Sequence, residues 1–172
     1  AWTPATLSAL VLVFFNARSI ANKVDVFKSF MTDKQAAYGG ISESKTHNDT
    51  SGLSDSTFRW DAGTEGKPKS GSGPTRGMGA CIDRTAIKAS IVETGTYTMW
   101  HRVETRTRSP IFVGVGYFPD SQDKKGHVKA NKELAVACAS IATLAMWCLV
   151  VISTPTRVST VTQPRWTRPA SC

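Results

Sequence analysis

The chain alternates between short apolar runs and polar segments rich in glycine, proline and charge. Ala9–Phe15 (ALVLVFF) is a continuous apolar run that ends on Asn16, the pattern of a strand covered on both faces. From Asn22 to Lys34, Val24, Phe27, Phe30 and Met31 recur at spacings of three and four. Lys23, Asp25, Lys28 and Asp33 fall mostly on the other side. This spacing predicts an amphipathic helix whose whole apolar stripe is core. Ala37–Ile41 is a second apolar run, leading into Ser42-Glu43-Ser44-Lys45. Strand, helix, strand makes a βαβ-like opening, and parallel pairing of the strands puts Asn16 and Glu43 at one sheet edge.

Thr46–Ser56, with His47 and Asn48, reads as a polar loop, and Phe58–Ala62 (FRWDA) as a short strand. Gly63–Gly77 mixes glycine, proline, serine and basic residues, as a solvated surface loop does. Its Gly71-Ser72-Gly73 fits no nucleotide-binding spacing, and Lys67, Lys69 and Arg76 are loop charges that a nucleic-acid backbone would also accept. Met78–Arg84, Ala86–Thr94 and Tyr97–Thr105 are β-prone runs separated by turns, which predicts an antiparallel meander. His101 falls inside an alternating strand, where a metal role has little support. Ile111–Gly116 is a further strand that delivers Tyr117 to its tip, with Pro119 fixing the loop behind it. Ser121–Asn131 reads as a basic loop, with a helix starting near Lys132.

Composition narrows the class without choosing a function. The 172 residues suffice for one domain with a real core, and 41% hydrophobic with 20% charged residues argues against wholesale disorder. A net charge of +8 suits a polyanionic partner, such as nucleic acid or an anionic membrane surface. Cys81, Cys138, Cys148 and Cys172 form no CxxC pair and have no histidine at zinc-ligand spacing, so neither a zinc site nor a disulfide framework is expected. A reduced intracellular setting follows. The first fifteen residues lack the basic start and small-residue cleavage site of a signal peptide, and the initial Ala suggests a fragment.

Taken alone, Glu43 reads as a solvated strand end, and Asn16 as a residue that caps or turns the chain. The ordered set is more specific. FNARSIANK, GISESKTH, RGMGACI and VGVGYFPDS together resemble the endonuclease/exonuclease/phosphatase superfamily, from about Leu10 to Leu134. Their nearest likeness is to the apurinic-type endonuclease domains of non-LTR retrotransposons. The resemblance implies a four-layered α/β sandwich, incomplete at the C-terminus, and Mg²⁺- or Mn²⁺-dependent cleavage of DNA phosphodiesters. It implies that Glu43 binds the metal, that Asn16 positions the metal site, and that Tyr117 hydrogen-bonds the scissile phosphate. Arg18, Lys45 and His47 would contact the nucleic-acid backbone. Such an endonuclease nicks DNA in the nucleus so that the reverse transcriptase of the same polyprotein can prime. Phosphoinositide and sphingomyelin phosphatases of the superfamily share the Asn and Glu positions, which leaves the substrate class open.

The pattern breaks after Leu134. The family there has a strand ending in a GDFN-type motif and, later, an aspartate-histidine pair that activates water; neither is present, and His47, His101 and His127 match no such context. Leu134–Ile152 instead runs uncharged, long enough to span a bilayer, with Arg157, Arg165 and Arg168 beyond it. A membrane anchor is one reading of that run, and a basic nucleic-acid-binding remnant without catalysis is another reading of the chain. A third fits better. With codons regrouped from their third base, Met146-Trp147-Cys148 forces two valines, and Val150–Thr156 permits Gly-Asp-Phe-Asn-Ala-His. The expectation is a family-like body over 9–134 and a frameshifted tail over 135–172, with catalysis lost.

Overall fold

The computed structural model describes residues 10–45, 52–63, 77–104, 110–119 and 123–143, together with the backbone of 148–153. His47, Lys67, Lys69, Arg76 and the basic residues beyond 153 lie outside the described residues. The first sheet has the order β1-β2-β4-β3, built from β1 (Leu12–Asn16), β2 (Tyr38–Ser42), β3 (Phe58–Ala62) and β4 (Met78–Asp83). The second has the order β5-β6-β7-β8, from β5 (Lys88–Thr94), β6 (Thr98–Glu104), β7 (Ile111–Tyr117) and β8 (Cys148–Ser153). Helix α1 (Val24–Asp33) joins β1 to β2, and α2 (Lys124–Ala142) joins β7 to β8. Both helices are crossovers between parallel neighbours, as parallel pairing requires.

Three apolar cores separate four layers. Phe27 and Met31 of α1 pack with Ile41, Trp60 and Cys81 on the outer face of the first sheet. Tyr38, Met78, Ile82, Met99, Val113 and Val115 fill the space between the sheets. Trp100, Phe112, Ala137 and Ile141 join the second sheet to α2. The expected four-layered α/β sandwich is therefore present.

Glycine sets how closely these layers meet at β2. A Cβ on Gly39 would lie 2.6 Å from the Phe27 ring of α1, and one on Gly40 would lie 2.8 Å from Val115 of the opposite sheet. β2 thus presents bare backbone to both neighbours, and only residues without a Cβ permit that approach.

Several expectations are corrected. The meander is β5-β6-β7 alone; β4 belongs to the first sheet, between β2 and β3. Phe30 is 42% exposed, with the Lys34 ammonium over its ring at 5.9 Å, because Phe27 and Met31 define a narrower buried stripe. Helix α2 starts at Lys124, well before Lys132, because the Asp123 carboxylate accepts from the Gly126 N–H (2.8 Å) and caps it. The run 134–152 is not one helix. Its first part completes α2, and Cys148–Ser153 pairs with β7 as a strand. Among the described residues no helix is long and apolar enough to cross a membrane.

Glu133 of α2 locks the helix to the β5–β6 turn. Its carboxylate accepts from the N–H groups of Thr96 (3.1 Å), Tyr97 (2.7 Å) and Thr98 (2.8 Å), and from the Thr98 hydroxyl (3.0 Å). Glu133→Ala leaves those donors unpaired and should cost about 2–3 kcal/mol, measured as a lower urea midpoint, while the exposed Lys132→Ala should leave it unchanged.

Acid should weaken the fold in a defined window. Asp55 accepts from the Lys28 ammonium (2.6 Å) and from the Phe58 and Thr57 N–H groups, which together hold its pKa at about 2 against an ordinary 3.8. A carboxylate depressed in the folded state stabilises it above the unfolded pKa and loses that contribution as pH falls through the folded value. The transition midpoint of wild type should therefore fall between pH 4 and pH 2, and Asp55→Asn should flatten that fall.

Candidate active site at the strand tips

The parallel register of β1 and β2 sets Asn16 beside Ser42, one residue before Glu43. Side chains alternate across a sheet, and Leu12 and Phe14 pack into the inter-sheet core, so Asn16 faces the second sheet. By the same alternation Glu43 should share the opposite face with Ile41, which packs towards α1. The backbone prevents this. Glu43 has φ +53°, in the left-handed region that turns the chain out of the strand. The result is an Asn16 amide and a Glu43 carboxylate in contact, Nδ2 donating to Oε1 at 3.4 Å.

That turn is part of a wider strained patch. Among the described residues, five other than glycine have positive φ, and four of them, Arg18, Ser19, Glu43 and Lys45, sit at these two tips. Such conformations persist where surrounding bonds over-determine them. Here Ala17, Ser19 and Ile20 donate in turn to the carbonyls of Ser42, Glu43 and Ser44, so the two segments stay zipped together beyond the sheet. Ser44 donates to the Gly77 carbonyl, and the Lys23 ammonium to that of Ala17 at 2.5 Å. The Arg18 N–H donates to the Asn16 amide oxygen at 3.2 Å and fixes the orientation of that side chain.

Tyr117 lies at the same end of the sandwich. Tyr38 is 3.0 Å from His101, which pairs with Val113, and Gly40 faces Val115. Continuing two residues along each strand sets Ser42 over Tyr117. Val113, Val115 and Tyr117 all belong to the inter-sheet core, so Tyr117 faces the mouth between the sheets that Asn16 also faces. The Ser42 hydroxyl is buried there without a hydrogen-bond partner among the described residues. Arg18 and Lys45 are exposed on the rim. Glu43 and Asn16 are thus in contact, Tyr117 shares their end, and His47 lies outside the described residues.

Sequence reasoning missed a second polar constellation at the other end of the inter-sheet space. The Tyr38 hydroxyl, the His101 ring and the Asp61 carboxylate form a chain with links of 3.0 Å each, and Arg59 closes it with bonds of 2.9 and 2.7 Å to Asp61. Burial pushes the Asp61 pKa up, but hydrogen bonds and charge from His101 and Arg59 outweigh it and hold it below the usual range. Burial, and then the Asp61 charge, push Tyr38 far up, so its hydroxyl keeps its proton. A charged Asp61 can only accept, so His101 Nε2 donates to it, and the Tyr38 hydroxyl lies against Nδ1. The available signal was Arg59 and Asp61 alternating with buried Phe58 and Trp60, opposite a histidine inside an apolar strand.

Glu43 supplies carboxylate oxygens of the kind that Mg²⁺ or Mn²⁺ accepts alongside waters and phosphate oxygens, with the Asn16 amide N–H against one of them, so the residues present fit a divalent ion. Among the described residues no cluster of three or more His, Cys, Asp or Glu side chains is suited to an all-protein metal cage.

No protein-family model matches the sequence, and no curated protein matches it. Solved structures do. The chain is similar to the human Nocturnin catalytic domain, with TM-score 0.65 and 11% identity, over 86% of this chain and 65% of that one. It is similar to an endonuclease/exonuclease/phosphatase family protein from Bacteroides thetaiotaomicron, with TM-score 0.62 and 12% identity, over 88% and 63%. It is also similar to the endonuclease domain of TRAS1, a telomere-specific non-LTR retrotransposon, with TM-score 0.56 and 9% identity, over 85% and 58%. In each case the chain spans less than two thirds of the other structure's length. The fold is that of the endonuclease/exonuclease/phosphatase structures.

The strain at the tips is open to test. Lys45 has φ +49° and an exposed side chain, so Lys45→Gly should relieve strain there. Left-handed backbone costs a residue with a Cβ about 1–2 kcal/mol and glycine's extra freedom roughly 0.5–1 kcal/mol, so a net gain of about 0.5–1 kcal/mol should be read as a raised urea midpoint. The same change at Lys88, inside β5, should lower it.

Proposed function

From the endonuclease/exonuclease/phosphatase fold, we propose that this chain carries the metal-side half of a DNA phosphodiesterase site of the nuclease type. One observation carries the reading: an amide and a carboxylate brought into contact by a left-handed turn at the tips of two parallel strands. Glu43, with Asn16 beside it, would hold Mg²⁺ or Mn²⁺. A divalent ion bound there supplies Lewis-acid polarisation of a phosphoryl oxygen and neutralises charge on the leaving oxygen. The other contributions come from the chain itself. Asn16, oriented by the Arg18 N–H, donates to Glu43 and ties the carboxylate to the β1 tip. Tyr117, at the same end of the sandwich, would donate to a non-bridging phosphate oxygen. The cationic Arg18 and Lys45 on the rim would meet the flanking backbone. DNA as the substrate class is supported by the net charge of +8 and by the likeness to the TRAS1 endonuclease domain.

The water-activating half of such a site is not supplied by this sequence. Strand β8 runs parallel to β7 and pairs Ser153 with Tyr117, the place where the resemblance expects a strand ending in aspartate and asparagine. The chain continues there as Thr154-Pro155-Thr156, and no Asp, Glu, Asn or His follows Glu133. Groups that act as a unit lose orders of magnitude together, so the reading is a retroelement endonuclease that binds DNA and does not nick it. A frameshift near Ala135 accounts for the change. The coding nucleotides from Asn131 to Cys172 test this directly: another frame should encode the aspartate-asparagine motif, and its absence from all frames would sink the frameshift.

Two assays on the full chain test the function. Duplex binding should fall steeply with salt, and Arg18→Ala and Lys45→Ala should each reduce the slope of log K against log salt by about one. Plasmid nicking in Mg²⁺ should equal that of Glu43→Gln. Salt-insensitive binding would remove DNA as the ligand, and Mg²⁺-dependent nicking lost in Glu43→Gln would show a complete site.

A further inference from the structure

A second concave feature lies at the opposite end of the sandwich from Glu43. Ile82 pairs with Tyr38, the first residue of β2, whereas Glu43 follows the last. The length of β2 therefore separates the two places, roughly 15 Å at about 3.3 Å per residue. Here the edge strands β3 and β5 meet, tied by Arg59, whose Nη2 donates to the Ala89 carbonyl at 2.7 Å. A cleft of about 410 Å³ opens beside that tie. Arg59, Arg84, Lys88 and Arg102 line it against one carboxylate, Glu104. Its apolar lining is Ile82, Ile87 and Ala89.

The cationic wall is organised before any ligand arrives. Arg59 is gripped by both oxygens of Asp61, which is itself held by the buried His101 and Tyr38. These bonds and the one to Ala89 use the Nε and Nη2 hydrogens, leaving the two on Nη1 without a partner among the described residues. The Arg84 guanidinium has no ion-pair partner among the described residues. Arg102 is engaged by Glu104 at 2.9 Å and contributes less net charge.

A backbone-tracking groove needs only a row of cations, whereas this cleft gathers them around a bounded space with the volume of a small-molecule site, closed below by the buried Ile82 and Ile87. We propose that it binds a nucleotide, with the phosphate on Arg84, Lys88 and Arg59 and the nucleoside in the remaining volume of the cleft. The phosphorylated nucleoside is free in solution or forms the 5′ end of a strand; both present the same chemistry. The proposal stands apart from the nuclease reading, because none of these residues lies at the strand tips.

Calorimetry with adenosine 5′-monophosphate tests it on the full chain at low salt. Saturable one-to-one binding is expected, weakened at least tenfold in the double variant Arg84→Gln/Lys88→Gln and unchanged in Glu43→Gln. Both substituted residues are exposed, and an unchanged circular dichroism spectrum of the double variant establishes its fold. Adenosine should bind at least tenfold more weakly than its monophosphate. A 5′-phosphorylated oligonucleotide that competes more tightly than the monophosphate assigns the cleft to a strand end, and weaker competition assigns it to the free nucleotide. No saturable binding, equal affinity in the double variant, or equal affinity for adenosine would each overturn the proposal.

Discussion

The structure depends on how tightly β2 is held. Gly39 gives its face to Phe27 and Met31 of α1, and Gly40 gives the other to Val115 and Phe14. Overpacking a core of this density costs about 1–3 kcal/mol per intrusion, because neighbours cannot move aside independently. The clamp fixes the height of the β2 tip relative to both sheets. Whatever follows Ile41 is presented at a defined place, and Glu43 follows it by two residues.

Position alone would not make the site. Regular alternation aims Asn16 and Glu43 to opposite faces of the sheet, and the left-handed backbone at Glu43 reverses one of them. The strain of four left-handed residues is carried by the bonds that zip 17–20 to 42–44 and by the clamp behind them. Rigidity in the strand and strain at its tip are therefore one device. A looser β2 would let Glu43 relax into an extended conformation and lose Asn16.

Much of this was legible in the sequence, for a physical reason. Short apolar or alternating runs bounded by turn residues read as strands, so β1, β2, β3 and β7 and the parallel pairing of Asn16 with the β2 tip followed from pattern. The left-handed turn did not, because no glycine or asparagine marks position 43. Partnership between distant strands was equally hidden. That β4 leaves the meander for the first sheet depends on which edge is vacant, which no local pattern reports. The Tyr38–His101–Asp61–Arg59 chain joins residues up to 63 apart and needed both sheets in place to be seen. Helix α2 was read as starting late because its first turns are basic and polar; the deciding residue was Asp123, a single cap.

Strand β8 shows why fold and chemistry separate so cleanly here. A strand between a helix and a sheet demands only apolar, β-branched residues, and Cys148–Ser153 (CLVVIS) meets that demand. It pairs with β7 in full register, from Phe112 to Tyr117. A catalytic carboxylate at its end demands one particular residue at one particular position, and nothing in pairing or packing enforces it. A change of reading frame that preserved hydrophobicity would therefore keep the strand and lose the acid. The fold would tolerate such a tail, because the requirements of a strand are statistical whereas those of a site are specific to one residue. The Glu43 turn differs in this respect: its geometry is bound up with the packing of β2, so packing holds it whatever the end of β8 carries.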